Sequence, residues 1–445
     1  IAAIEDAITL GVDCANLSLG LSSGPYYYEG VTEVYDAATA AGISVCVSAG
    51  NDGFTGTESL WGDEQIKSTS VSSGTLGMPG TFDSVLTVAS AENEGVKWFF
   101  ATGVLGWYNK RQGSDQYMNV SEIENVPEGK GFYENLRPTE ELVGGTYGYT
   151  ESIKNSNGQI VYVPFEGGNG DSIIAAAKAA GAAGVVFYDP TPAEEAEWDY
   201  VDVELTSFDV PAARANLTEF EWMKANNDTG TVSVKADWNR NNAAGEMSSF
   251  SSWGPTEGLS LKPEITGIGG NVFSAYYGEF FAVASGTSMS SPAVAASMAL
   301  LRQYLKTTSI PEEDYAKVAN CLLMSTATPI VDEANGTYYF VRRQGAGLAN
   351  IGNAVKSGAY IAVEGTDKAK LELGDDAEKT GKYEMKFSVV NFSQEAKTYA
   401  LSLQGLGQAA EGGLVKGGKV TYLTQNYAKK LDATYTTSLN GNELT

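Results

Sequence analysis

The sequence contains no histidine among its 445 residues. Histidine is the side chain whose ordinary pKa lies nearest to neutrality, so it commonly serves enzymes as general base and proton shuttle. Its absence excludes both roles, and every imidazole metal ligand, from within these residues. Any active site that the sequence indicates therefore lacks a histidine base or works by another route.

Cysteine and positive charge are also scarce. Cys14, Cys46 and Cys321 lie far apart in apolar segments without CxxC spacing, which predicts buried thiols and not a zinc site or a redox pair. Lys and Arg number 29 against 55 Asp and Glu, which gives a net charge of −26. Because this charge repels phosphate backbones, nucleic-acid binding is excluded as a main function.

Long hydrophobic runs are missing as well. No apolar run approaches the roughly 18 residues of a transmembrane helix, so we expect no membrane insertion. The chain begins without Met or a signal-peptide pattern, on a segment in which Ile1, Ile4 and Ile8 share one helical face and Gly11 closes the helix. We therefore expect the sequence to begin inside a domain.

Residues 1–97 and 241–358 show the pattern of an α/β fold. Short, continuously apolar strands alternate with helices, which predicts a parallel sheet covered by helices on both faces. The predicted strands are 12–19, 43–47 and 84–89, and the strongest predicted helices are 288–305 and 312–325. The two segments are expected to form one domain that is interrupted by an insertion.

The inserted residues, 98–240, are expected to form a second α/β module. Within them the pattern predicts a strand at Gln159–Pro164, a helix at Asp171–Ala180 and a strand at Gly184–Tyr188. An acidic stretch at 194–204 is most simply a solvated face, with calcium binding as the alternative.

Residues 359–445 change to a period of two. Tyr383, Met385, Phe387 and Val389 alternate with polar residues, which predicts a strand over 382–390. We expect a β-sandwich here that is incomplete at residue 445.

The sharpest motif is Ser-Gly-Thr-Ser-Met-Ser-Ser-Pro at 285–292, where a predicted helix begins. Ser288 would lie among the unpaired backbone N–H groups of the first turn, at the positive end of the helix dipole. Those groups can stabilise an oxyanion that forms beside Ser288 Oγ. The alternative is that Ser288 is only an N-cap, a position that favours serine.

The residues around Ser288 resemble the nucleophile motif of the subtilisin-like serine peptidases. Further segments that match this family, in its order, are Asn-Leu-Ser-Leu-Gly at 16–20, Val-Ser-Ala-Gly-Asn-Asp-Gly at 47–53, Met-Pro-Gly-Thr at 78–81, Leu-Thr-Val-Ala-Ser at 86–90, Phe-Ser-Ser-Trp-Gly-Pro at 250–255 and Lys-Pro-Glu-Ile at 262–265. The insertion resembles a protease-associated (PA) domain. With a fibronectin-III-like sandwich after it, the organisation is similar to that of the large cell-envelope subtilases.

This resemblance implies a role for each matching residue. Ser288 would form the acyl-enzyme of an endopeptidase that acts on proteins or peptides, and the Asn51 side chain would donate to the oxyanion. The substrate-binding residues that it implies are Ser18, Leu19 and Gly20 in a strand that pairs with the substrate, and Ser48, Ala49 and Gly50 in the P1 pocket. It implies a bacterial protein that is secreted or attached to the cell envelope. No cofactor is implied, although calcium stays open.

One departure from the family decides the expected activity of this chain. In the family an aspartate and a histidine precede the serine, and here both would lie upstream of Ile1, in a missing N-terminal part of the catalytic domain. Without its base, the chain should be inactive alone. Three interpretations stay open: part of an active secreted peptidase, a catalytically dead pseudopeptidase that binds peptides or proteins, and one subunit of a split enzyme.

Overall fold

A computed structural model describes residues 1–21, 24–53, 74–103, 145–165, 167–190, 231–240, 243–275, 281–400, 402–416 and 419–432, with short stretches within 203–224 and 439–444. The chain divides into two compact units. Unit 1 comprises Ile1–Glu92, Gly245–Gly270 and Ser285–Thr445, and unit 2 comprises Asn93–Ala244 and Asn271–Ala284.

The elements are numbered in chain order. The helices are α1 (Ala2–Leu10), α2 (Thr32–Ala40), α3 (Asp171–Ala180), α4 (Thr287–Leu305), α5 (Tyr315–Ser325), α6 (Val341–Gln344) and α7 (Ile351–Ser357). The strands are β1 (Cys14–Leu17), β2 (Ser44–Ser48), β3 (Leu86–Glu92), β4 (Gly95–Gly103), β5 (Gly145–Thr150), β6 (Gln159–Pro164), β7 (Gly168–Asn169), β8 (Gly184–Tyr188), β9 (Val203–Glu204), β10 (Ala212–Ala215), β11 (Thr231–Arg240), β12 (Ile265–Gly270), β13 (Val272–Ala275), β14 (Phe281–Ala284), β15 (Val331–Asp332), β16 (Thr337–Tyr338), β17 (Ala359–Ala362), β18 (Ser388–Asn391), β19 (Leu406–Lys416), β20 (Lys419–Lys430), β21 (Leu439–Asn440) and β22 (Glu443–Leu444).

Unit 1 contains a parallel sheet with the strand order β1-β2-β3-β12. Strand β2 is buried along its whole length, as its continuous run of small and apolar residues indicates. Its side chains alternate between two hydrophobic clusters, with Cys46 in one and Val45 and Val47 in the other. The predicted α/β class with a parallel sheet is therefore confirmed.

Helices cover the two faces of this sheet. Helix α4 presents Val294, Met298 and Leu301, spaced by three or four residues, to the cluster that contains Cys46. On the other face, Ile4 of α1 and Tyr35 of α2 contribute to the second cluster. Gly11 has a φ of 62° and ends α1, as the sequence predicts.

The three cysteines are free thiols, and the predicted burial is confirmed for Cys46 and Cys321 but not fully for Cys14. Cys46 and Cys321 are buried, and Cys14 is half-buried. Burial raises the pKa of the Cys321 thiol to about 12, so it stays protonated at neutral pH. Among the described residues, no helix combines the length and the apolar character that crossing a membrane requires.

Unit 2 contains a six-stranded sheet with the order β10-β8-β6-β5-β11-β4. Strands β5, β6, β8 and β10 run parallel, while β11 pairs antiparallel with β5 and with β4. Helix α3 buries Ile174 and Ala177 against a cluster that includes Val161 and Phe187. The helix and the two strands predicted within 159–188 are therefore present at the predicted bounds. The acidic residues at 194–202 lie outside the described residues.

The prediction of a strand over 382–390 is wrong for residues 382–387. Strand β18 begins only at Ser388 and pairs antiparallel with β17. Tyr383, Met385 and Phe387 are at least half exposed, and no strand of the described residues pairs with them. Alternation defines a strand only where a neighbour supplies backbone partners and a surface to pack against. The β-sandwich stays a prediction.

Candidate active site

Ser288 is the second residue of α4, in the first helical turn. The N-cap of this helix is Gly286, so the N-cap interpretation of Ser288 is wrong. The side chain is half-buried, and of the N–H groups on either side, that of Thr287 donates to Asn51 Oδ1 while that of Met289 donates to Gly286 O. Ser288 therefore has the helix-terminal environment in which backbone N–H groups stabilise negative charge.

Asn51 follows β2 and is held against the start of α4 by Thr287. Its Oδ1 accepts hydrogen bonds from the Thr287 backbone N–H and from Thr287 Oγ1, both at 2.9 Å. Because a backbone N–H can only donate, the atom that faces it must be the oxygen of the amide. The Nδ2 group of Asn51 therefore points away from Thr287.

The Asn51 amide and the Ser288 backbone N–H converge beside Gly286. A Cβ placed on Gly286 would lie 3.4 Å from Asn51 Nδ2 and 3.6 Å from the Ser288 nitrogen. The Met289 sulfur lies 3.5 Å from the same position. Two donor nitrogens and this sulfur therefore border the space beside Gly286, and a pair of donors is what the oxyanion of a tetrahedral intermediate would need.

Thr287 was missed by the sequence analysis, although it orients Asn51. Its side chain is buried, and its Oγ1 accepts a hydrogen bond of 3.1 Å from the Gly50 backbone N–H. The hydroxyl therefore accepts from Gly50 and donates to Asn51. The only sequence signal for this role of Thr287 is its position next to Ser288 in the motif.

Gly50 has a backbone conformation that suits only glycine. Its φ is 105°, and an added Cβ would lie 2.8 Å from Ser252 Oγ. The Ser252 backbone N–H donates to Gly50 O at 3.0 Å, and Ser252 Oγ accepts from the Asp52 N–H at 3.0 Å. The 250–255 motif thus holds the Asn51 segment in place.

We expect Gly50→Ala to lower the free energy of unfolding by about 1–3 kcal/mol, because it adds both backbone strain and a close contact. Gly30→Ala is the matched control, since Gly30 also has a positive φ (76°) but nothing lies within 4 Å of an added Cβ. Urea unfolding followed by circular dichroism checks both variants. Equal losses in the two would show that the contact with Ser252 contributes nothing.

The segment after β1 contains Ser18, Leu19 and Gly20, which are all exposed. It is held on one side, where Ser48 Oγ donates to Leu19 O at 3.2 Å, and Leu21 and Met78 exchange two backbone hydrogen bonds of 2.9 Å. Because β1 is an edge strand of the described sheet, an extended peptide could add beside this segment.

The predicted P1 residues follow directly on β2. Ser48 and Ala49 are buried, Gly50 is half-buried, and the Ala49 N–H donates to Val88 O at 3.0 Å. Their assignment to the P1 pocket stays a prediction. Within the described residues, no group of three or more Cys, Asp or Glu side chains could hold a metal ion.

The family model of the subtilases, Peptidase_S8, matches residues 1–347. The chain therefore belongs to the subtilase family, as the motifs indicate. It is 29% identical over 405 residues to the C5a peptidase of Streptococcus pyogenes serotype M3, covering 88% of this chain and 32% of the relative. It is 28% identical over 424 residues to the PI-type proteinase of Lactococcus lactis subsp. cremoris, covering 90% and 22%.

The chain thus spans a third or less of the length of these curated relatives. Among solved structures, the patellamide maturation protease PatA matches with a TM-score of 0.38 and 14% identity, over 80% of this chain and 66% of that one.

Proposed function

We propose that this chain supplies the nucleophile and the oxyanion donors of a serine endopeptidase. The observation that carries this proposal is that Asn51 Nδ2 and the Ser288 nitrogen lie near one position beside Gly286, in the helical turn to which Ser288 belongs. A helix start that served only the fold would not need a second donor such as Asn51 Nδ2 beside it. Acyl transfer does need one, because the oxyanion is stabilised by two donors.

In the proposed reaction, Ser288 Oγ attacks the scissile carbonyl carbon and forms an ester while the peptide C–N bond breaks. A general base takes the Oγ proton and delivers it to the leaving amine, and water then hydrolyses the ester. The 445 residues contain no histidine, so the base and its aspartate would come from residues outside this sequence. The oxyanion would accept from Asn51 Nδ2 and from the Ser288 N–H.

The proposed substrates are proteins or peptides. An extended substrate would pair with the backbone of Ser18, Leu19 and Gly20 and place its P1 side chain near Ala49. The names of the relatives, a C5a peptidase and a PI-type proteinase, support this substrate class. We propose a bacterial protein that is secreted or bound to the cell envelope.

The test is active-site labelling of the natural polypeptide that contains these residues. A small fluorophosphonate should form one adduct, which peptide mapping places on Ser288. Ser288→Ala should abolish labelling and casein hydrolysis, whereas Ser297→Ala, which changes a half-buried serine of the same helix, should alter neither. The 445 residues alone should give no adduct. An adduct on another serine would contradict the proposal.

If the natural polypeptide also gives no adduct, the pseudopeptidase interpretation is favoured. A split enzyme would instead be labelled only after a second chain with the histidine and aspartate is added. The coding sequence in frame before Ile1 distinguishes these cases, because an active peptidase requires an aspartate segment and a histidine segment there.

A further inference from the structure

The carbonyl oxygen of Ser288 accepts a hydrogen bond from outside its own helix. In a regular α-helix this oxygen would accept from the backbone N–H four residues later, but that residue is Pro292, which has none. The Ser18 hydroxyl donates to it instead, with an Oγ–O distance of 2.7 Å. Pro292 thus leaves the nucleophile's own carbonyl available to a side chain from the end of β1.

The direction of each proton in this contact follows from the chemistry. A carbonyl only accepts, so Ser18 must give its single hydroxyl proton to Ser288 O. Ser18 Oγ can then only accept from Asn16 Nδ2, which lies 3.1 Å away, and this orients the Asn16 amide. Asn16 Oδ1 consequently accepts from Ser291 Oγ, at 2.7 Å.

These three hydrogen bonds connect two residues one helical turn apart, Ser288 and Ser291, to two residues at the end of β1. The first turn of α4 is therefore held at two points by the segment that would pair with the substrate. Resting on the proposed peptidase function, we propose that Ser18 is a positioning residue, whose hydroxyl sets the place of Ser288 Oγ relative to the bound substrate backbone.

The positioning effect should appear in catalysis and not in stability. Ser18 and Asn16 are exposed, so water competes for their hydrogen bonds and their removal should change the unfolding midpoint little. The contact joins two groups of the protein itself, so it should position Ser288 Oγ for a small probe as well as for a peptide substrate.

We expect Ser18→Ala in the natural polypeptide to lower kcat about tenfold, with KM changed less than twofold, as for one ordinary hydrogen bond. The rate of fluorophosphonate labelling of Ser288 should fall by a similar factor. The probe is too small to pair with the backbone of Ser18, Leu19 and Gly20, so a lower labelling rate reports the position of Ser288 Oγ and not substrate binding. Ser18→Thr, which keeps the hydroxyl, should restore most of both rates.

A second variant tests the mechanism itself. Pro292→Ala supplies the missing N–H to Ser288 O, so Ser18→Ala should cost much less in the Pro292→Ala background than alone. A raised KM with unchanged labelling would overturn the proposal and leave Ser18 as a substrate contact only. Equal losses in Ser18→Ala and Ser18→Thr, or equal losses in both backgrounds, would also overturn it. If unsubstituted Ser288 is not labelled, the proposed function has failed instead.

Discussion

Replacing Asn51, the proposed oxyanion donor, with Asp should lower kcat by about 10²–10³-fold, the magnitude measured on removing the oxyanion-hole asparagine of subtilisin. The aspartate keeps the oxygen that accepts from the Thr287 N–H and Oγ1, so the segment should stay in place. It loses Nδ2 and brings a negative charge towards the developing oxyanion. Because the proposed donor would act mainly in the transition state, KM should change little.

Steady-state hydrolysis of a chromogenic peptide by the natural polypeptide measures both constants. Asn51→Leu is the comparison, since it removes the donor and also the acceptor for Thr287. If the donor is what counts, Asn51→Asp should lose at least as much activity as Asn51→Leu. An Asp variant that keeps its activity would show that Asn51 only anchors the loop and is no oxyanion donor.

The parallel sheet and the place of Ser288 were predictable because both have local signals. A strand buried on both faces must be apolar throughout, as in β2, and a helix that begins beside Ser288 is marked by Gly286 before it and a long periodic run after it. Seven short motifs in the order typical of the family then indicated it. These features need no knowledge of which distant residues meet.

The contacts that complete the site have no such signal. Thr287 and Asn51 are 236 residues apart, and Ser18 lies 270 residues from Ser288. Periodicity predicts which face of an element is apolar, but not which polar side chains meet across a sheet. The alternation at 383–387 wrongly predicted a strand, because alternation does not show whether a neighbouring strand is present to pair with it.

The charged residues just before β12 also form contacts that the sequence does not predict, and these contacts contribute more to the free energy of unfolding. Lys262 and Glu264 are buried, and Lys262 Nζ lies 3.1 Å from Glu264 Oε2. Lys262 also donates to Val85 O and Thr87 Oγ1, and Lys370 Nζ lies 3.0 Å from Glu264 Oε1. One carboxylate thus pairs with two ammonium groups.

The pKa values show how strongly the surroundings of Glu264 favour its charged form. Burial alone would raise the pKa of Glu264, but the ammonium groups of Lys262 and Lys370 outweigh it and lower that pKa to about 2. Burial lowers the pKa of Lys262 to about 8, against the opposing effect of Glu264. At neutral pH the buried groups are therefore all charged and depend on one another.

Glu264→Gln should accordingly lower the free energy of unfolding by about 3–5 kcal/mol at pH 7, because it leaves the buried Lys262 ammonium without its carboxylate and removes one of the two carboxylates that face Lys370. Glu372→Gln is the matched control. Glu372 also faces Lys370, at 3.3 Å, but its side chain is 42% exposed, so its loss should cost about 0–1 kcal/mol. Urea midpoints of the three proteins measure the difference.

The pH dependence of the same variants provides an independent check on Glu264. Its folded pKa lies below its ordinary value of 4.5, so its contribution is complete above about pH 4.5 and is lost as pH falls towards 2. The gap in stability between the native chain and Glu264→Gln should therefore be widest near neutrality and narrow steadily below pH 4.5. A gap that stays constant from pH 7 to pH 3 would mean that the lost stability comes from packing and not from the charge of Glu264.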